Sequence, residues 1–259
     1  MKKISAFLAV LALFFVDVAL AASAVATSTT GTVQFQTGTG TALPLRTGDE
    51  VRQGDTVSTG ANSSAVLKFD DGQVAALTSN SRMTITSYRY DPATEAGNVF
   101  LSLVGGGMRA ITGLIGRRTP TQVAYRASTA TIGIRGTDCV VVTDGASIVL
   151  TVSEGTCTLQ LPGKELIVIP AGQGVLVRPD GTVVRGTIAQ VLSQLSPALL
   201  ALVNGTNGVN VAGANPGVPR QGRQGEPGWT DNRGRGHGGD PGHQGNQGGG
   251  GGGGGASKQ

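Results

Sequence analysis

Only two histidines occur in the 259 residues, His237 and His243, and both sit in a glycine-rich stretch near the C-terminus. A Ser-His-Asp or Cys-His arrangement needs an imidazole within reach of its nucleophile, so the apolar part of the chain has no base for that chemistry. The two histidines read either as weak metal ligands or, more simply, as solvated rings in a low-complexity tract. Asp70-Asp71-Gly72 looks like a fragment of a calcium loop but lacks the alternating oxygen ligands and closing glutamate of that motif. It reads as a tight turn. With 43 glycines, chance matches to phosphate loops are expected. Gly113-Leu114-Ile115-Gly116-Arg117-Arg118-Thr119-Pro120 has no lysine where such a loop requires one; it reads as a loop presenting two arginines to solvent or to an acidic partner. No catalytic residue, cofactor site or metal site is expected, and the chain is not expected to be an enzyme.

The two cysteines, Cys139 and Cys157, carry more information. In an oxidising compartment an intramolecular disulfide between them is expected. The alternative is a pair of buried thiols acting as small hydrophobes, because a strand between the two would hold them too far apart without a bend or a different pairing. Charge points to no nucleic-acid partner: 20 basic residues against 16 acidic ones leave a net charge of +4, and no basic cluster is interleaved with aromatics.

These residues must be positioned by four regions. Lys2 and Lys3 precede an apolar run over residues 4–16, followed by Asp17-Val18-Ala19-Leu20-Ala21. A charged start, short apolar core and A-x-A exit describe a signal peptide over residues 1–21, too short and too interrupted at Asp17 for a membrane span of about 20 residues. No transmembrane segment is expected after cleavage, and the location is periplasmic or secreted. Residues 30–186 are expected to form an all-β domain, a short-stranded antiparallel sandwich or roll. The domain is rich in Val, Ile and Thr, in short runs broken by Asp-Gly and similar pairs at 71–72, 144–145 and 180–181. Glu154-Gly155 and Pro162-Gly163-Lys164 read as further turns of an antiparallel meander, and the three adjacent glycines at 105–107 as a bulge or a close crossing of backbones. Residues 187–203 carry apolar side chains at helical spacing, interrupted or restarted at Pro197. Residues 204–259 hold too little apolar surface to offset the entropy of ordering them and are expected to be disordered.

Several of these pieces together resemble a FecR-type domain. Thr59-Gly60-Ala61-Asn62-Ser63, a strand, Asp71-Gly72 and Asn80-Ser81 look like its first half. Ala127-Ser128-Thr129-Ala130 with Ile134-Arg135-Gly136-Thr137, then Glu154-Gly155 and Pro170-Ala171-Gly172-Gln173, look like its second half. The resemblance covers about residues 31–178. Ser128 stands where the family usually has proline, and Cys139 where it usually has an aromatic. The motif residues read as architecture: Gly136 permits a positive φ or a close approach, Thr137 bonds a neighbouring turn, Arg135 ties two loops, and Asn62-Ser63 and Asn80-Ser81 close Asx-type turns.

The resemblance implies a periplasmic, protein-binding domain. The best-known members place a cytoplasmic anti-sigma segment and a transmembrane helix before it, whereas here a cleavable leader stands in that place. Direct control of a sigma factor is therefore not expected. The expected function is that of an exported, non-enzymatic binding or scaffold module whose partner is another envelope or surface protein, engaged at a sheet edge or turn-rich face. The alternatives are an extracellular matrix component with a flexible glycine-rich tether and, less favoured, a polysaccharide-binding protein. The latter lacks aromatic platforms, since the only tryptophan is Trp229.

Overall fold

The computed structural model describes residues 23–211; the expected leader, His237, His243, Trp229 and most of the glycine-rich segment lie outside them. The described chain is all-β, one sheet of 15 strands that rolls up because three long strands each bend midway. The first seven strands are short, β1 (Ala24–Thr30), β2 (Val33–Thr37), β3 (Leu43–Pro44), β4 (Glu50–Val51), β5 (Asp55–Thr59), β6 (Ser64–Phe69) and β7 (Val74–Leu77), and are followed by the longer β8 (Arg82–Asp91). Then comes β9 (Ala96–Ile111), the helical turn α1 (Leu114–Arg118), β10 (Val123–Ala127), β11 (Ala130–Thr143) and β12 (Ile148–Gln160). The series closes with β13 (Ile167–Pro170), β14 (Gln173–Val177), β15 (Val183–Thr187) and the helices α2 (Ile188–Leu192) and α3 (Pro197–Asn207).

Pairing registers divide this sheet into two layers. In the first, β2 pairs β5, β5 pairs β8, and β8 pairs the first half of β9. That half also pairs β10 in parallel, β10 pairs the start of β11, and the last residues of β12 pair both β11 and β13. In the second, β4, β1, β6 and β7 follow one another to the second half of β9. The layer continues through the second half of β11, the first half of β12, β14 and β15. The corners between the layers fall where positive-φ glycines sit: Gly106 (φ 86°) in β9, Gly136 (φ 59°) in β11, Gly155 (φ 74°) in β12 and Gly172 (φ 79°) between β13 and β14. Left-handed backbone is the geometry of a bulge, which bends a strand without ending it.

This corrects the expected turn at Glu154-Gly155. The strand continues through it, with Asp138 opposite Glu154 and Arg135 opposite Thr156, so the meander has one fewer return and β13 and β14 run in line beside β12. The expected hairpin turns at Gly72 (φ 83°), Gly145 (φ 93°) and Gly181 (φ 79°) do reverse the chain. The expected boundaries also move. β1 lies between β4 and β6 with Ala24 and Ala26 fully buried, so the folded region starts before residue 30; small Ala, Ser and Thr side chains give this strand no apolar run to announce it. At the other end α3 continues past Val203 to Asn207, and Thr206 is buried, so residues 204–211 belong with the fold.

Inward-facing side chains of both layers form one core, which includes Val57, Leu67, Phe69, Leu101, Ile132, Leu150 and Ile169. A second cluster lies on the outer face of the second layer, where Val140, Val142, Val149 and Leu176 pack under Val191 of α2 and Leu199 and Val203 of α3. A third joins Val66, Val74 and Ala76 to Val209 and Val211. The strands of this layer are therefore apolar on both faces, as Val74-Ala75-Ala76-Leu77 is. Both helices begin on capping residues: Thr187 and Gln190 make a reciprocal capping box, while Ser196 caps α3, whose first residue is Pro197. Pro197 thus restarts the helical region. Gly107 lets α3 lie close, since a Cβ there would strike Thr206 Oγ1.

Candidate functional site

The motif residues are distributed along the turns and corners rather than gathered into a cleft. Asn62 (φ 52°) and Asn80 (φ 55°) both adopt left-handed backbone, and the residue after each does the bonding. Ser63 Oγ accepts from the Thr32 amide at 2.9 Å and donates to the Ala61 carbonyl at 2.9 Å. Ser81 Oγ accepts from the Gly107 amide at 2.9 Å and donates to the Gly107 carbonyl at 3.1 Å. The expected asparagine side-chain turns are in fact serine bridges between neighbouring segments. Thr137 behaves as expected, its hydroxyl meeting Thr112 Oγ1 at 3.1 Å. Ser128, with φ 51°, occupies a conformation closed to proline, whose ring fixes φ near −65°; its hydroxyl donates to the Gly145 carbonyl at 3.1 Å.

Arg135 departs from expectation. It is exposed and its guanidinium ties no loops among the described residues. The tie at this corner is made instead by Arg109 and Asp138, a two-pronged pair at 2.9 and 2.5 Å linking β9 to β11; the carboxylate raises the guanidinium pKa further, against partial burial.

Asp71 is fully buried at the centre of a polar cluster. Its carboxylate accepts from the Gln73 amide at 3.1 Å, the Ile115 amide at 3.4 Å and Tyr88 Oη at 3.5 Å. Tyr125 Oη donates to Gln73 Oε1 at 3.1 Å, and Gln73 Nε2 is buried without a partner among the described residues. Burial pushes the Asp71 pKa up despite the donors around it, and it pushes both tyrosines up as well. Among the described residues there is no imidazole, and the carboxylate is fully buried; this cluster fastens the β6–β7 turn to α1.

Cys139 and Cys157 stand as two free, fully buried thiols, not as the expected disulfide. Register explains how they meet: Cys139 lies opposite Val152 and Cys157 opposite Ile134, on either side of the corner, and both point into the shared core. The hydrogen bond that the Cys139 thiol makes to Cys157, followed by burial, raises the Cys139 pKa well above the usual thiol range. Among the described residues no group of three or more His, Cys, Asp or Glu could hold a metal ion, and no helix is long and apolar enough to cross a membrane.

An open feature of the described surface is a groove of about 750 Å³ on the outer face of the first layer. Its floor is built across four strands by Ala124, Gly133, Thr158 and Val168, which are neighbours in register. Arg135 from β11 and Arg117 and Arg118 from α1 stand along it. Leu166 and Val168 are 55% and 59% exposed at the β13 rim. Arg117 and Arg118 were expected in a loop; they form the last turn of a short helix, and Arg118 is held by Glu95 at 2.7 Å. Among the described residues β13 pairs only β12, so no strand is paired along its other edge. Residue types alone could not reveal this groove, because only strand register brings its walls together.

A comparison with protein families matches residues 55–158 to the FecR protein family. No curated protein matches the chain. Two crystal structures of a protein from Parabacteroides distasonis described as an anti-sigma factor, at 1.65 and 2.50 Å, are similar at 14% identity with TM-scores of 0.42 and 0.41. Each similarity covers 51% of this chain and 59% of the other, so this chain spans about three-fifths of those proteins. The matched segment runs from β5 to Thr158 and contains the two Asn-Ser turns, the Asp71-Gly72 turn and the corners at Gly106, Gly136 and Gly155; over residues 55–158 this chain is similar to the FecR protein family.

Proposed function

We propose that this chain is an exported, non-enzymatic binding module that engages another envelope protein through the outer face of its first layer. The observation that carries this reading is the unequal treatment of the two outer faces. The second layer is covered by α2, α3 and the segment to Val211, whereas the first is left with an open groove, a free β13 edge and the exposed apolar rim of Leu166 and Val168. An uncovered edge next to apolar side chains suits strand addition by a partner, which needs no dedicated chemistry. Export is supported by the leader pattern at residues 1–21 and by β1, whose first residue, Ala24, comes three residues after Ala21, where cleavage is expected. The test is affinity capture from an envelope fraction with the wild-type chain and with Val168→Asp. A defined envelope protein retained by the wild type and lost from a Val168→Asp variant of unchanged melting temperature is the expected result. Equal retention by both would remove the groove from the binding role.

A further inference from the structure

Resting on that binding-module reading, we infer that the groove accepts an extended, acidic peptide segment of the partner. Three arginines and no aspartate or glutamate are among the residues lining it. Outside the groove two arginines have carboxylate partners, Arg109 with Asp138 and Arg52 with Glu50. Here Arg118 is held by Glu95 at the margin, while the Arg117 and Arg135 guanidinium groups make no hydrogen bond or ion pair among the described residues. Planar forks with free donors match carboxylates in geometry as well as charge.

The apolar and steric features fix the rest of the occupant. The floor crosses from β10 to β13, three strand spacings or ~14 Å, which ~4 extended residues span. Its centre is Gly133, where an added Cβ would meet Thr158 Oγ1 at 2.6 Å, so the floor is low there. Thr131, Thr156, Thr158 and Gln160 offer donors and acceptors to a peptide backbone, and Leu166 and Val168 supply a surface for an aliphatic side chain. Segments alternating acidic and aliphatic residues meet these demands together. Sugars and unpaired bases fit poorly, since they stack on aromatic faces and no Phe, Tyr or Trp lines the groove. The chain's own residues 212–259 fit poorly as well, because they hold five basic residues (Arg220, Arg223, Arg233, Arg235, Lys258) against three acidic ones (Glu226, Asp231, Asp240).

The experiment is selection of a displayed random-pentapeptide library on the full chain and on the double variant Arg117→Glu/Arg135→Glu. Both substituted positions are exposed, and thermal melting verifies that the variant is folded. The wild type is expected to enrich Asp and Glu alternating with Leu, Ile or Val, and the variant to enrich Lys and Arg instead. A selected acidic peptide should bind the variant at least about tenfold more weakly, the loss of one or more charge-assisted bonds. Enrichment of peptides without carboxylates, or of the same peptides by both proteins, overturns the inference. So does displacement of the selected peptide by polygalacturonate or a single-stranded oligonucleotide at lower concentration. If selection yields nothing acidic while Val168→Asp still abolishes capture of an envelope protein, the acidic-segment inference falls and the binding-module reading stands.

Discussion

Gly155 and Gly172 have nearly the same backbone, φ 74° and 79°, and very different surroundings. A Cβ at Gly155 would drive into the Gly136 carbonyl oxygen, whereas at Gly172 it would meet nothing within 4 Å. Gly172→Ala should therefore cost only the left-handed backbone, about 1–2 kcal/mol, while Gly155→Ala should add roughly 1–3 kcal/mol of overpacking; urea denaturation of both variants measures the difference. Asp71 yields a prediction in pH. Its folded pKa is raised above the ordinary 3.8 by burial, so its contribution to stability is fully present below that value and is lost as pH rises through the folded pKa. Asp71→Asn removes the titration. The melting-temperature difference between variant and wild type should shift toward the variant as pH climbs from about 3.8, and a difference independent of pH would contradict the burial argument.

Among elements, the C-terminal helices have the largest consequence, because they decide which face of the sheet is covered. Leu199 and Val203 of α3 are buried on the outer face of the second layer, and burying a large aliphatic side chain is worth about 1.5–3 kcal/mol. A chain ended after Leu195 should lose about 3–6 kcal/mol and expose Val140 and Val142. Removing residues 212–259, whose composition offers almost no apolar side chain, should change stability by less than about 0.5 kcal/mol. Thermal melts of the two truncations decide this. Much of this level was legible in the residues: the Asp-Gly hairpins, the helix restart at Pro197 and the bulge within Gly105-Gly106-Gly107 all follow from local chemistry. Glu154-Gly155 misleads for a physical reason. A positive-φ glycine either reverses a chain or bends it, and the outcome depends on whether the facing strand bulges too, as β11 does at Gly136. That partner lies about twenty residues away and leaves no local trace. The last turn of α3 was missed similarly, since Asn204-Gly205-Thr206-Asn207 is a poor helix former by propensity and is held by tertiary contacts, with Thr206 seated over Gly107 and Gly205 close to Thr78.

For the whole molecule, the bent strands β9, β11 and β12 link the two layers through one core, so the covered face and the open face belong to a single body of described residues. The motif glycines make the corners, the Arg109–Asp138 pair clasps one of them, and the buried thiols fill the space inside it. None of these groups faces the groove. The groove instead uses Arg117, Arg135 and Leu166, which no local pattern marks as a set, because they come from a helical turn, a strand and the residue just before β13. The most direct test of the central claim is photo-crosslinking in the native envelope, with a photoreactive residue at Val168 or Thr131 in the groove, or at Gln190 or Asn204 on the helical face. The account predicts one discrete crosslinked partner from positions 168 and 131 and none from 190 and 204; a partner captured from the helical positions alone would contradict it.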